Sequence, residues 1–184
     1  MFRSRLFLTG FCALLGVVGA VGQDVVRPHL VFMIGEREYE TKTTLPAFAQ
    51  RALQDDYRIT VVQAKDGEGN FPGLVAALKE ADLLLVSVRR RALPEVQMTA
   101  LRDYVAAGKP VLGIRTASHA FSLRGKKPPE GGRVWERWDQ EVFGGNYSGH
   151  HGNKLPSVAK VVGQGPLTAG LGPDPFPTGG SLYK

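Results

Sequence analysis

From His29 onward, short apolar runs alternate with segments whose apolar residues recur every three or four positions, the rhythm of strands and helices taken in turn. "HLVFMI" (29–34) predicts a first strand and "YRITVVQA" (57–64) a second. Between them, "TLPAFAQRALQ" (44–54) sets Leu45, Phe48, Ala49, Ala52 and Leu53 on one helical face. Thr44 is its expected cap, and Pro46 falls in the first turn, where a missing N–H costs nothing. After the polar loop "KDGEGN", "FPGLVAALKEA" predicts a short helix. "DLLLVSV" (82–88) is a continuous apolar run, as befits a strand covered on both faces. "LPEVQMTALRDYVAAGK" (93–109) predicts a third helix, with Met98, Leu101 and Val105 in one stripe, Pro94 in its first turn and Gly108 as a left-handed stop. "PVLGI" (110–114) is the fourth strand.

The order β-α-β-α-β-α-β predicts an α/β protein with a doubly wound, flavodoxin-like parallel sheet. Beyond Phe121 the periodicity fades into "RGKKPPEGGRVWERWDQEVFGGNYSGHHGNKLP" (124–156). Long loops of this kind in compact domains tend to be functional, and Trp135, Trp138, Phe143 and Tyr147 argue against disorder. Trp135 and Trp138 are read as buried anchors of the loop. "SVAKVV" (157–162) suggests another strand, and the sequence stops at "GGSLYK" as an extended segment begins, which is read as an incomplete C-terminus. There is no internal repeat and no second domain.

The length fits one domain, and an apolar fraction of 43% allows it a real core. The opening "MFRSRLFLTGFCALLGVVGAVGQD" changes the picture: Arg3 and Arg5, an apolar run and then small residues mark residues 1–22 as a signal peptide to be cleaved, with an uncleaved anchor as the alternative. Export to the periplasm or the cell exterior follows. Cys12 is the only cysteine, so the mature chain would have no disulfide, no thiolate metal site and no cysteine nucleophile. Losing Arg3 and Arg5 lowers the formal charge from +6 to +4. The basic clusters "RRR" (89–91) and "RGKK" (124–127) lack interleaved aromatics and are read as solvated loops. No nucleic-acid partner is expected, and no membrane once the leader is removed.

Ligands of open parallel sheets gather at the carboxyl ends of the strands, so the loops after Ile34, Val88 and Ile114 should converge. The first, "GEREYETKT" (35–43), offers Glu36 and Tyr39 as ligand contacts. Gly-x-Gly-x-x-Gly is absent there, "GQGPLTAG" (163–170) has Thr168 in place of its last glycine, and a Walker-type lysine is missing, so neither NAD nor ATP is expected. In "KPVLGIRTASHAF" (109–121) a strand breaks through a turn into a predicted helix, the geometry of a nucleophile elbow. Its residues Arg115, Thr116, Ser118 and His119 are read as a ligand grip. A guanidinium stays protonated and cannot attack. Ser118 beside His119 would suggest a hydrolase, yet adjacent side chains rarely face each other and no Gly-x-Ser-x-Gly surrounds the serine. His119 either handles protons or packs in the helix that starts there. His150 and His151 stand among glycines and should face opposite ways. One of them would join His119 or Glu36 around a divalent metal, the one cofactor left open, or would act as an acid or base against a sugar hydroxyl, with His150 the catalytic candidate and His151 the ligand contact.

"PVLGIRTASHAF" resembles the elbow of class I glutamine amidotransferases, with Gly113 and Ile114 matching and Arg115 on the position of the catalytic cysteine. With a non-cysteine elbow the chain resembles the ThuA-like (trehalose utilization) family over residues 29–184, on "VFMIGEREYETKTTLP", "GIRTASHAF" and "WDQEVFGGNYSGHHGN" (138–153). The resemblance implies the amidotransferase-like three-layer fold, an export signal and a small-molecule carbohydrate partner of trehalose or keto-sugar type. Family members continue with further strands and a Gly/His block, which lie beyond Lys184 here. The resulting expectation is an exported carbohydrate-active protein in which Arg115 grips ligand oxygens, Glu36 and Tyr39 complete the crevice, and His119 acts with His150 or His151. A non-catalytic sugar-binding or regulatory module is the second reading, and a homo-oligomer stays open.

Overall fold

The computed structural model describes residues 26–145, 147–152, 156–179 and 182–184, so the leader read in residues 1–22 lies outside the described residues. In chain order the first elements are β1 (His29–Gly35), α1 (Thr41–Ala52), β2 (Arg58–Gln63), α2 (Leu74–Glu80), β3 (Leu83–Val88), a two-residue β4 (Leu93–Pro94), α3 (Glu95–Ala106) and β5 (Val111–Gly113). The central sheet is all parallel in the order β2-β1-β3-β5. β1 is buried along all seven residues, as its unbroken apolar sequence requires of a strand with neighbours on both edges and helices on both faces.

Alternation along β1 divides the core in two. Leu30, Phe32 and Ile34, with Leu85 of β3, meet Leu45, Ala49 and Leu53 from the α1 side. Val31 and Met33, with Leu84, Val86 and Val88, meet α2 and α3 through Leu74, Leu78, Met98 and Leu101. The result is the flavodoxin-like three-layer α/β fold. Each of the fully buried leucines among these, such as Leu74, Leu84 and Leu101, contributes about 1.5–3 kcal/mol.

The first helix begins at Thr41, ahead of the expected start, and Thr44 is not its cap. The preceding loop supplies a carboxylate that fixes the first turn, as described below, and winding therefore starts earlier. Pro46 consequently lies inside the helix and leaves the Lys42 carbonyl without its i+4 donor. The side-chain amide of Gln63, at the end of β2, donates to that carbonyl at 2.9 Å. Phe48 and Ala52 face solvent, because the buried stripe narrows to Leu45, Ala49 and Leu53. The third helix follows the pattern: Met98 and Leu101 are buried, Val105 packs beside them, and Gly108 takes a φ of +72° at the stop. Lys109 then donates to the carbonyls of Lys79 (3.3 Å) and Ala81 (3.0 Å), satisfying the end of α2.

After β5 the chain makes a single 3₁₀ turn (Arg115–His119), not the α-helix expected after the elbow. The long loop beyond it contains β6 (Gly132–Arg133), antiparallel to β4, and a π-helical turn (Asp139–Phe143). As expected, its tryptophans are anchors. Trp138 is buried edge-on against Phe121, Trp135 and Phe143 and donates to the Ala117 carbonyl at 2.7 Å. Gly113 makes room for this packing, since a Cβ there would meet the Phe143 ring at 2.5 Å. The strand expected over 157–162 is the shorter β7 (Ser157–Ala159), paired with β8 (Phe176–Thr178) as a separate antiparallel ribbon. No helix among the described residues is long and apolar enough to cross a membrane.

Candidate functional site

The chain passes from β1 to β2 on one side and returns to β3 on the other, so the topological switch point lies between the carboxyl ends of β1 and β3. Three loops meet there. The Arg89 N–H donates to the Gly35 carbonyl (3.3 Å), and the N–H groups of Arg90 and Arg91 donate to the carbonyls of His119 (3.3 Å) and Ala120 (2.7 Å). The loop after β3 is thereby stitched to those after β1 and β5.

Glu36 organises the first of these loops from within. Its carboxylate, only 3% exposed, accepts from the backbone N–H groups of Glu38 (2.5 Å), Tyr39 (3.0 Å) and Thr41 (3.1 Å) and from the Thr41 hydroxyl (2.6 Å). Ser87 of β3 donates to that hydroxyl at 2.9 Å. Burial works against the charge of Glu36, but the Thr41 hydroxyl and the three N–H groups outweigh it and hold the carboxyl below its ordinary 4.5. With its oxygens so engaged, Glu36 lines neither cavity described below and acts on the site through Tyr39. The Tyr39 hydroxyl accepts from Arg115 Nη2 at 3.0 Å. The guanidinium lies 4.8 Å from the Tyr39 ring centre and 5.2 Å from that of Tyr183. Burial opposes the charge of Arg115, and these two tyrosines more than restore it, raising its pKa.

The elbow places Arg115 at φ +43°, a left-handed conformation that costs a residue with a Cβ about 1–2 kcal/mol. Ser118 and His119 follow, and here the adjacent side chains do meet: Ser118 Oγ lies 3.0 Å from His119 Nδ1. His119 is 7% exposed, stacks at 4.5 Å on Tyr147, and has its pKa lowered to about 4 by burial and then by Arg90, Arg89 and Arg124. It is a neutral imidazole at pH 7. No carboxylate hydrogen bond to His119, the third element of a hydrolase triad, appears among the described residues.

Two polar cavities share His119, Arg124 and Tyr147 as a common wall. One, about 270 Å³, is completed by Arg90, Ser118, Ser122, Glu136, Asp139 and Ser148. The other, about 320 Å³, is completed by Glu38, Tyr39, Arg89, His150 and Tyr183. The basic clusters read as solvated loops are therefore corrected. Arg91 is buried with Nε donating to the Gly35 carbonyl (3.0 Å), Arg89 pairs with Glu38 (2.9 Å), and Arg90 and Arg124 face the crevice. In the second cluster Arg124, Lys126 and Lys127 are exposed as expected, although Arg124 also borders the cavity. Sequence missed these arginines because the signal is tertiary: two loops that look like surface charge meet across the strand ends.

Of the residues expected at the site, Tyr39, Ser118, His119 and His150 line the cavities. Arg115 stands behind Tyr39 and Tyr183, and Thr116 is buried with no hydrogen-bond partner for its hydroxyl among the described residues. His151 is exposed and contributes its backbone N–H to the Leu182 carbonyl (2.9 Å). His150 Nδ1 lies 2.9 Å from the His151 carbonyl. Among the described residues no three His, Cys, Asp or Glu side chains form a group suited to a metal ion. A larger groove of about 580 Å³ between α2 and α3 is mainly apolar, lined by residues such as Val75, Leu78, Val96 and Ala100. Its polar lining is Lys79, Thr99, Asp103, Tyr104 and Lys109, and it shares no residue with the crevice at the carboxyl strand ends.

Fold and crevice together define a flavodoxin-like α/β protein with a polar, arginine-rich pocket at its switch point. Comparison of the chain with family models, with curated proteins and with solved structures gave no match.

Proposed function

We propose that this is an exported, ThuA-like protein that holds a carbohydrate of trehalose or keto-sugar type in the crevice around His119, without a cysteine nucleophile. The three sequence blocks given above support the family. The observation that carries the reading is the cavity wall itself: a neutral His119, Ser118, Ser122 and Ser148, two carboxylates and the ring of Tyr147. Donors and acceptors so mixed suit the hydroxyls of a sugar, and tyrosine offers an apolar body with a polar tip. Arg115, on the nucleophile's position, gives the same fold a fixed cation that braces Tyr39 and Tyr183.

A non-catalytic binding module is favoured by one specific feature. A general base works best with a pKa near the working pH, and His119 titrates near 4. Thermal unfolding of the protein against trehalose, other disaccharides and their keto derivatives tests the reading, since a ligand of the folded state raises the midpoint by mass action. A shift abolished by His119→Ala is expected. Absence of a shift with every sugar would remove the carbohydrate assignment. Turnover that His119→Ala abolishes while binding persists would replace the binding module with an enzyme.

A further inference from the structure

The crevice sets three arginines against three carboxylates, yet among the described residues only one of these arginines is ion-paired. Arg89 is neutralised by Glu38. Arg90 makes no ion pair among the described residues: one Nη donates to the Ser122 carbonyl at 3.2 Å, and its buried Nε has no hydrogen-bond partner. Arg124 across the same cavity has no ion pair among the described residues either. The cavity's carboxylates accept hydrogen bonds from neutral groups and pair with neither arginine among the described residues. Glu136 accepts from the Ser122 hydroxyl and the Leu123 N–H (3.2 Å), and Asp139 accepts from the Tyr147 N–H at 2.6 Å.

The backbone singles out the same two arginines on separate grounds. Among the described residues the non-glycine positions with positive φ are Glu40, Arg90 (+50°), Arg115 (+43°) and Arg124 (+56°). Two of the three arginines thus strained are the ones that line this cavity. Strain of this kind persists where the surroundings impose it, and it collects at ligand sites. An arginine that lines a cavity without an ion pair presents charge there that an incoming anion would meet.

We propose that the ligand of this crevice is a sugar bearing one anionic group, carboxylate or phosphate, and that Arg90 and Arg124 bind that group beside His119. The sugar part of this inference rests on the carbohydrate reading above; the anion subsite rests on the two arginines alone. Guanidinium forks match either oxyanion with paired charge-assisted hydrogen bonds. The crowding of Arg89, Arg90 and Arg124 adds support, since burial first and then the other two arginines lower the pKa of Arg90.

Calorimetric titration of the full chain at constant ionic strength tests this with glucose, glucuronate, glucose 6-phosphate and inorganic phosphate. Either anionic sugar is expected to bind about tenfold to a hundredfold more tightly than glucose, the range a charged hydrogen-bond pair provides, and the comparison between them tells carboxylate from phosphate. Arg90→Gln should lose that advantage. Should that variant fail to fold, Arg124→Asn, exposed and suited to a left-handed backbone, should lose it too. Phosphate bound in an Arg124-dependent way, with no sugar bound, would keep the anion subsite and overturn its assignment to an anionic sugar. Glucose bound as tightly as its anionic derivatives, in wild type and variants alike, would overturn the anion subsite while leaving the carbohydrate reading intact. No binding by any of the four would overturn the anion subsite, and the trehalose and keto-sugar screen above would then decide the carbohydrate reading.

Discussion

Ser118 Oγ and His119 Nδ1 lie 3.0 Å apart, although the residues are neighbours in sequence. If the hydroxyl donates, Nδ1 is the acceptor and the ring proton sits on Nε2. The expected result is a ¹⁵N chemical-shift pattern for His119 of the Nε2–H tautomer at pH 7, which Ser118→Ala shifts towards a mixture. An Nδ1–H tautomer in the wild type would show that the imidazole, not the serine, is the donor.

Acid should weaken the fold through His119 in a definite window. Its pKa falls from an ordinary 6.5 to about 4 in the folded state, so between these values the unfolded chain binds the proton and the folded chain does not. The stability involved is fully present above pH 6.5 and is lost as pH falls towards 4, on the order of 3 kcal/mol if the whole shift is expressed. Denaturant midpoints measured from pH 7.5 to 4 should show this slope, and His119→Phe should flatten it. Arg90→Gln should move the His119 titration, followed by NMR, back towards 6.5.

Glu36 contributes in a lower window. Its folded pKa lies below 4.5, so its stabilisation is present above 4.5 and is lost as pH drops through the folded value. Glu36→Ala strands three backbone N–H groups and the Thr41 hydroxyl, and should cost about 2–4 kcal/mol in chemical denaturation. Glu36→Gln keeps one acceptor and should cost less. Because Glu36 positions Tyr39 through the backbone, both variants should also weaken ligand at the crevice; unchanged affinity would confine the residue to stability.

Gln63 and Pro46 form a compensated pair. Pro46→Ala would give Lys42's carbonyl its own helical donor, making the Gln63 amide redundant. In a double-mutant cycle, Gln63→Ala should cost up to about 1 kcal/mol with Pro46 present and almost nothing once the proline has been replaced by alanine. Equal costs in both backgrounds would mean that the exposed bond contributes no coupling.

The parallel sheet was legible because β1 and β3 are unbroken apolar runs separated by a helical period, and Met98, Leu101 and Gly108 wrote the third helix plainly. The start of α1 was not, because its cap is Glu36, five residues upstream of Thr41 and reached through a tight loop, while local rules look for a hydroxyl next to the helix. Tyr39 and His119 could be placed at the strand ends from topology alone. The roles of Arg90 and Arg124 could not: charge in a loop reads as solvated until the fold shows what the loop faces. Tyr183 was missed for a like reason, since it reaches Arg115 only after the segment around Leu182 has paired with residues 148–151.

The left-handed arginines set stability against occupancy. A screen for thermostable variants, blind to ligands, would be drawn to positions 90, 115 and 124, where asparagine relaxes the backbone and, at 90 and 124, removes mutual repulsion in the same change. Each such gain would drain charge from the pocket wall or from behind its tyrosines. The most heat-resistant descendants of this chain should therefore be the ones whose crevice has least to offer an anion.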